Sequence, residues 1–468
     1  MESPPLKLPA CRDEDKISTL TDDLLLEILE RLDLREAVRA DAVSTQWGHL
    51  PHRVSRLYLN ASHFRLSRMR ERMDAFTGAV RSLLRERECD CNNSHAVKSL
   101  SLLFYLSPSP HLSSIGRAIE DVVSRGESKW LHFGIGSPPP ASNTAPLLAE
   151  IGQQFMSFSR TYPVTFWWLT RLTFEHLVFG HSNITDLISA SGRLRHLTLR
   201  LCRLVDLHSA LKVDVPTSGI QELEFFGFGC TQIELISVPK LRQVWCQYLL
   251  FENPPVCFGY VPELRVVRLF SKAKAWQASF TLSECLSKSA TNLSKLHLDF
   301  FHQKIWIQPE HPKQLTTILR NLTSVFLLGI FSECDLSWTL FFLEAAPALK
   351  NIALSRHSCI MRLENSPEKT NVVWKPSKDL KHLNLKVLLI CGCEDEDKVT
   401  NYTRLVVGRA VGLNSIMLHG EYPCEDCSAT DLERHKMGKA SKVGEASRRR
   451  IKERLTHGSS SSVEIVIC

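Results

Sequence analysis

Residues 194–204 read LRHLTLRLCRL, and the spacing of the leucines predicts a short strand entered through a tight turn. Leu197 and Leu199 are two positions apart, so they point to the same side of an extended chain. Leu194 is the inward residue of the turn that precedes them. One strand of this kind cannot bury its own apolar edge, so the phrase requires neighbours with the same pattern.

The phrase recurs along the chain as apolar, two variable, apolar, one variable, apolar. Its clear copies begin 21 to 36 residues apart, at Leu169, Leu194, Ile220, Leu241, Leu264, Leu293, Leu322, Leu349, Leu385 and Leu413. Weaker copies are Val97-Leu100-Leu102 and the surroundings of Leu57-Leu59. Intervals of this length allow the chain to run back after each strand and begin the next strand beside it. The sequence therefore predicts an α/β fold: a curved solenoid with a parallel sheet on its concave face.

The outer face of this solenoid is expected to be mixed. Residues 181–191 and 279–290 have the periodicity of helices, whereas the stretch around Pro254 and Pro255 is typical of an extended loop. A proline stands two residues before the opening leucine in VPKL (238–241), VPEL (261–264) and APAL (346–349). Proline there predicts an extended approach to the strand. The phrase resembles the leucine-rich repeat, with Cys202 at the family's Asn/Cys position.

A second pattern lies near the N-terminus, in ISTLTDDLLLEILERLDLREAVRADAVSTQWGHL at residues 17–50. Leu25, Ile28, Leu29 and Leu32 share one helical face. A short second helix after Asp33 and a third helical turn are expected to follow. A segment of about 35 residues cannot bury this much apolar surface by itself. Its surplus face either docks on the rest of the chain or belongs to a partner.

The order of these residues resembles an F-box, the module that docks substrate receptors on the Skp-type adaptor of a cullin-based (SCF) ubiquitin ligase. The resemblance implies a three-helix module whose adaptor-binding residues are Leu20, Leu24, Leu25, Ile28, Leu29, Leu32, Val38, Val43 and Trp47. Thr21 and Asp33 stand where the family has proline. These two departures favour the alternative of a degenerate module.

The repeats stop after Leu418, and the last residues read EASRRRIKERLTHGSSSSVEIVIC. Ala446, Ile451 and Leu455 could share a helix face, and alternation after the serines predicts a strand. Together they could close the open end of the sheet. This ending resembles the FBD-type tail of the plant F-box/leucine-rich-repeat proteins. The alternative interpretation of the RRRIKER run (448–454) is a nuclear-import signal or a nucleic-acid patch.

These patterns divide the chain into five parts. We expect a disordered tail at 1–15, the F-box at 16–56 and the solenoid at 57–420, clearest at 165–420. A polar linker at 421–445 and the FBD-like helix and strand at 446–468 complete the chain.

Composition excludes several classes. The apolar fraction of 44% and the charged fraction of 23% are ordinary for a globular chain, and the net charge of +7 is mild. The N-terminus has no apolar signal-peptide core, and no apolar run is long enough to span a bilayer. The 15 cysteines show no secreted-type framework, which favours reduced thiols in the cytoplasm or nucleus.

No metal, cofactor or enzymatic activity is expected. Cys424 and Cys427 have zinc-ligand spacing, but no second pair stands at regular spacing. The candidates for the two missing ligands of such a site are His419, His435, Cys391 and Cys393. A weaker, separate group consists of Cys89, Cys91 and His95. Walker, nucleophile-elbow and metalloprotease motifs are absent from the sequence.

The resemblance therefore implies a non-catalytic substrate receptor, with an adaptor and through it a cullin as partners, and with no nucleic acid or membrane. The expected target-binding residues are exposed variable positions of the phrases: Arg195, His196, Arg200, Gln243, Arg265, Arg268, Lys295 and His297. The alternative is a non-degradative scaffold or ligand-sensing protein.

Overall fold

A computed structural model describes residues 20–32, 36–37, 39, 50, 53–85, 97–106, 111–124, 128–136, 145–247, 253–271, 277–301, 305–357, 372, 374–393, 396–421, 443–456 and 463–468. The chain forms two compact units, Met1–Gly134 and Ile135–Cys468. Within the described segments, none of the helices combines the length and apolarity needed to cross a bilayer.

The first unit contains helices and short parallel strands. Its elements are α1 (Asp22–Leu29), β1 (Arg56–Asn60), a 3-10 turn (Ala61–His63), α2 (Met69–Arg85), β2 (Ser99–Tyr105), α3 (His111–Ser124) and the first five residues of β3 (Trp130–Gly136). β1 pairs in parallel with β2, with Leu57 opposite Leu100 and Leu59 opposite Leu102. The two weak copies of the phrase are therefore neighbouring strands. β3 was not among the predicted copies.

The second unit carries the clear repeats. Its helices are α4 (Ala145–Thr161), α5 (Pro163–Trp168), α6 (Asn183–Ala190), α7 (Leu282–Cys285), α8 (Pro312–Leu319), α9 (Phe341–Ala345), α10 (Asp397–Arg409) and α11 (Glu445–Thr456), with a 3-10 turn at Ser337–Leu340. The first strands are β4 (Arg171–Glu175), β5 (Val178–Phe179), β6 (His196–Arg200), β7 (Arg203–Leu204), β8 (Leu211–Asp214), β9 (Glu222–Phe226), β10 (Ile233–Ser237) and β11 (Gln243–Gln247). The others are β12 (Val256–Tyr260), β13 (Val266–Phe270), β14 (Lys295–Asp299), β15 (Ser324–Phe331), β16 (Asn351–His357), β17 (Val387–Cys391), β18 (Ser415–His419) and β19 (Glu464–Ile467).

One large parallel sheet runs through this unit in the order β4-β6-β9-β11-β13-β14-β15-β16-β17-β18-β19. The strands pair in register, so that Leu199 lies opposite Phe225, and Phe225 lies opposite Cys246. The predicted parallel sheet of repeated strands is thus confirmed. All three apolar positions of the phrase are buried, as Leu194, Leu197 and Leu199 illustrate.

A repeated hydrogen-bond pattern sets the register. At each strand entry, one carbonyl oxygen accepts the N–H groups of two consecutive residues of the next repeat. In the second unit the first such pair is Arg195 N–H and His196 N–H, which donate to the Thr170 oxygen over 2.9 and 3.2 Å. The acceptors in order are Thr170, Arg195, Gln221, Arg242, Arg265, Ser294, Thr323, Lys350 and Lys386. Each repeat provides a backbone carbonyl oxygen at the equivalent position. The strands of successive repeats therefore align in the same register.

The prolines act differently from the sequence prediction. The Leu241 N–H donates to the Val238 oxygen over 3.1 Å, which closes a turn around Pro239 instead of an extended approach. The same turn closes at Leu264 and at Leu349. Proline fixes φ near the value required at the second position of such a turn, which explains its recurrence.

The outer elements are indeed mixed. α6 buries Ile184, Leu187 and Ile188, as its periodicity predicts. The helix predicted at 279–290 is limited to the short α7. The expected loop around Pro254 leads directly into β12, which joins a small parallel sheet in the order β12-β10-β8. That second sheet was missed because its strands are short and lie between stronger patterns.

The C-terminal segment extends the large sheet. β19 pairs in parallel with β18, with Ile465 opposite Ile416. α11 buries Ile451 and Leu455, while Arg454 pairs with Asp397 of α10.

A buried arginine ties the ends of three neighbouring strands. Arg356 on β16 is 1% exposed. Its guanidinium donates to the backbone oxygens of Ser332 and, over 3.3 Å, Gly392, and it meets Glu396 Oε2 at 3.1 Å. These partners follow β15 and β17, so one buried charged side chain connects the carboxyl ends of neighbouring strands.

We predict that Arg356→Ala lowers the free energy of unfolding by about 3 kcal/mol, because its buried acceptors lose their donor. Urea unfolding followed by tryptophan fluorescence measures the change. Arg320→Ala, on the exposed turn after α8, is the matched control and should change stability by less than about 0.5 kcal/mol. Equal stability of Arg356→Ala and the native chain would contradict the role assigned to Arg356.

Candidate functional site

The large sheet presents one face to the core and leaves the other open. We call the side chains at the first, third and fifth positions of β6, β9, β11, β13, β14 and β15 the open face. Their register forms continuous rows across the strands. The middle row consists of Thr198, Glu224, Trp245, Arg268, His297 and Phe326. Most of these side chains are only partly buried, so the row is a surface feature.

Aromatic rings dominate the centre of the open face. The Trp245 ring lies edge-on to Phe226 with 4.8 Å between centroids, and edge-on to Phe270 at 5.8 Å. His297 stacks on Phe326 with 4.2 Å between ring centroids. We call these five rings the aromatic row. Edge-to-face and stacked contacts of this kind hold rings in fixed orientations.

Two arginines lie over this aromatic row. The Arg268 guanidinium is 5.2 Å from the Trp245 centroid, and the Arg200 guanidinium is 4.7 Å from the Phe226 centroid. Such cation–π contacts orient the charge while leaving its hydrogen-bonding edge available. In the described parts of the chain, Arg200, Arg268 and Lys295 have no carboxylate partner.

Acidic side chains occupy the neighbouring strand. Glu222 Oε2 is 2.7 Å from His196 Nδ1, and Glu224 Oε2 accepts a hydrogen bond from Thr198 Oγ1 at 3.0 Å. β11 separates these carboxylates from Arg268 on β13. The open face therefore has Glu222 and Glu224 on β9, an aromatic centre on β11, and Arg268 and Lys295 on β13 and β14. Arg200 on β6 and Asp299 on β14 add one charge of opposite sign near each side.

Two nitrogen atoms of this row are buried without a hydrogen-bond partner among the described residues. They are Nε1 of Trp245 and Nε2 of His297. An unsatisfied buried donor costs on the order of 1–3 kcal/mol. Half-buried rings, cations without carboxylate partners and unsatisfied nitrogens together are unfavourable for the isolated chain, which is typical of a surface selected for binding.

Burial, together with the smaller effect of the charges of Arg268 and Lys295, lowers the pKa of His297 from 6.5 to about 4. The imidazole is consequently neutral at physiological pH. The positive charge of this edge comes from the arginine and the lysine, while His297 contributes a flat neutral ring.

The structure brings together most of the predicted target-binding residues. Six of them lie on the open face: His196, Arg200, Gln243, Arg268, Lys295 and His297. Arg195 and Arg265 instead lie at strand entries, where their carbonyl oxygens accept the paired N–H groups of the next repeat. Arg195 and Arg265 contribute to the fold through these backbone oxygens.

Sequence analysis missed the aromatic residues of the open face. Trp245 lies between the core residues Val244 and Cys246, and Phe226 follows the core residue Phe225. An aromatic residue beside core residues is easily assigned to the core. Position in the phrase was the available signal, because the variable positions of each copy face away from the core.

A second candidate surface lies on α1 in the first unit. Leu25 and Leu29 are fully buried and pack with Ala37, Leu50 and Val54. On the other side, Leu24, Ile28 and Leu32 are 49%, 39% and 40% exposed. We call these three the α1 stripe. The predicted adaptor-binding set therefore divides, because Leu25 and Leu29 already serve the chain's own core.

The remaining adaptor-binding candidates are placed in part. Leu20 packs against the same small core. Val38, Val43 and Trp47 lie outside the described residues, as does Asp33. α1 itself is tied to the start of β1, because Glu30 Oε1 accepts hydrogen bonds from Ser55 Oγ at 2.6 Å and from its N–H at 3.2 Å. The hydrogen bond from the Ser55 side chain lowers the pKa of Glu30.

Among the described residues, no group of three or more His, Cys, Asp and Glu side chains could hold a metal ion. Burial raises the pKa of the Cys391 thiol, which disfavours the thiolate that a metal requires. The other zinc candidates Cys424, Cys427 and His435 lie outside the described residues, as do Cys89, Cys91 and His95.

The repeated strands and the open face define a leucine-rich-repeat protein, a class built for protein–protein interaction or ligand recognition. The family described as "At1g61320/AtMIF1, LRR domain" matches residues 153–464, and the chain belongs to this family.

No curated protein matches the chain. Among solved structures, it is similar to the one titled "Crystal structure of TLR13-ssRNA13 complex", with a TM-score of 0.32 and 12% sequence identity. The similarity covers 78% of this chain and 54% of that one, so this chain spans about half of its length.

The lowered pKa of His297 predicts a specific pH dependence. The unfolded chain takes up a proton near pH 6.5, whereas folded His297 does so only near pH 4. This contribution to stability is complete above pH 6.5 and is lost as the pH falls towards 4. We expect the melting temperature of the native chain to fall more between pH 7 and pH 5 than that of His297→Phe. His208→Phe, at an exposed position, should behave like the native chain. Parallel pH curves for all three would contradict this prediction.

Proposed function

We propose that this protein is the substrate-recognition subunit of an SCF-type ubiquitin ligase. In this proposal the module at residues 16–56 binds a Skp-type adaptor and, through it, a cullin. The leucine-rich-repeat unit binds the target protein through the open face. The resemblance of the N-terminal segment to an F-box supports the first part, and the composition of the open face supports the second.

The observation that carries the proposal is the arrangement of apolar residues on α1. A helix with a single apolar face buries that face in the core of its own domain. Leu25 and Leu29 are buried in this way. α1 has a second apolar surface, the α1 stripe, in which Leu24 and Ile28 lie at i and i+4 on the helix and Leu32 lies in the turn that follows it. Its burial in a partner's groove would contribute on the order of 1 kcal/mol for each side chain.

In this role the protein performs no catalytic step. It contributes proximity, since a bound target is held close to the ubiquitin-carrying enzyme at a high effective concentration. The bonds that form and break during ubiquitin transfer belong to the other subunits. The proposed locations are the cytoplasm and the nucleus, and neither nucleic acid nor membrane is a partner.

The contacts of α11 support an FBD-like closing role for the C-terminal segment. Arg454 pairs with Asp397, and Arg448 Nε donates to the Val443 oxygen over 2.8 Å. Arg448 and Arg454 of the basic run therefore make contacts within the protein, and Ile451 between them is buried. These contacts favour closure of the sheet over a free nuclear-import or nucleic-acid signal.

The test is retention of a Skp-type adaptor by the full chain. We predict that the double substitution Leu24→Asp and Ile28→Asp abolishes co-purification of the adaptor, because it places charge in a contact that must exclude water. Leu66→Asp is the matched control, since Leu66 is 39% exposed in the same unit but lies outside α1. Substitution of Leu25 or Leu29 would disrupt the module's own core and cannot separate binding from folding.

Adaptor retention lost in the α1 variant and kept in Leu66→Asp supports the proposal. A folded native chain that captures no adaptor would overturn it. That result would favour the scaffold or ligand-sensing alternative, to which Thr21 and Asp33 point.

A further inference from the structure

The open face distinguishes one kind of target from others. We infer that it binds an extended peptide segment of the target that carries a basic residue, an apolar or aromatic residue and an acidic residue in succession. This inference deepens the proposed target-binding role and rests on it. It names the chemistry of the recognised segment.

The acidic end of the site would receive the basic residue. Glu222 and Glu224 lie on β9, and each uses one carboxylate oxygen for a neighbour on β6. The second oxygen of each carboxylate has no partner among the described residues. A lysine or arginine of the peptide can therefore approach without displacing an existing bond.

The basic end would receive the acidic residue. Arg268 and Lys295 lie on adjacent strands and together influence the ionisation of His297, so their charges act on one region. Neither has a carboxylate partner in the described segments. The Arg268 guanidinium rests on the Trp245 ring, which fixes its plane for bidentate contact with a carboxylate.

The aromatic centre would receive the apolar residue. Trp245 lies between Glu224 and Arg268 in the middle row, with Phe226 and Phe270 on either side. Large rigid rings at the centre of a polar surface are the residues that contribute most to protein interfaces. They provide a flat contact for an aromatic or aliphatic side chain.

The spacing of the strands sets the spacing of the charges. Neighbouring strands are about 4.8 Å apart, so Glu224 and Arg268 are separated by about 10 Å across β11. An extended peptide rises about 3.3 Å per residue, and side chains on one side recur at every second residue. The basic and acidic residues should therefore be about two to four positions apart, with the apolar residue between them.

The mixed charge argues against a nucleic acid as occupant. Phosphate recognition requires cations along the whole path of the backbone. Here Glu222, Glu224 and Asp299 share the open face with Arg200, Arg268 and Lys295. A peptide with both signs of charge matches this pattern, whereas a polyanion would meet three carboxylates.

A random peptide display library selected on the full-length protein tests the inference. The native chain should enrich peptides in which an aromatic or aliphatic residue lies between a basic and an acidic one. Arg268→Glu should weaken these peptides at least about tenfold and should enrich peptides with basic residues on both sides. Lys288→Glu makes the same change of charge at an exposed position between β13 and β14, and it should leave the selection unchanged.

Two further measurements make the outcome decisive. Trp245→Ala should weaken the selected peptides on the order of tenfold or more. A labelled single-stranded oligonucleotide should not compete with them. Selection of no peptide, a selection unaffected by Arg268→Glu, or competition by the oligonucleotide would each overturn the inference. Adaptor capture through α1 is measured in a separate experiment. If no adaptor is captured, the proposed function is overturned, and the peptide selection is still interpreted from its own result.

Discussion

The second unit depends on one repeated hydrogen-bond arrangement, in which a single carbonyl at each strand entry accepts two consecutive N–H groups from the next repeat. The arrangement uses backbone atoms alone, so it tolerates any side chain at the accepting position, from Thr170 to Lys386. It fixes where each strand starts. Once the start is fixed, the alternation of a strand places the two apolar positions of every copy in the core.

The same backbone arrangement leaves the side chains between the apolar positions free to vary, because the fold does not depend on them. Residues such as Glu224, Trp245 and Arg268 contribute little to the core, yet the register aligns them in one row across successive strands. Function can therefore change at these positions without loss of the fold. The row that this chain displays combines neighbouring acidic, aromatic and basic groups, with a histidine whose burial keeps it neutral. A surface of this composition discriminates by both charge and shape.

The two candidate surfaces belong to different units and use different physics. The α1 stripe is apolar, with Leu24 and Ile28 on the helix and Leu32 just after it. The open face is polar and aromatic, and it carries opposite charges on either side of Trp245. Substitutions on one surface should leave the other intact, which makes the two proposals separately testable.

The sequence determined the repeats, the parallel sheet and the apolar periodicity of α1, because these follow from the spacing of apolar residues along the chain. It also placed six of the eight proposed target contacts on the open face, from His196 to His297. It could not show that Leu25 and Leu29 pack in a small core with Ala37, Leu50 and Val54. It also could not show that Leu24 and Ile28 remain exposed. Nor could it show the turn around Pro239, the strand β12 or the buried bonds of Arg356. Tertiary structure decided these points because they depend on which residues from distant copies meet. Trp245 illustrates the difference, since its neighbours in sequence are core residues whereas its neighbours in space are Phe226, Phe270 and Arg268.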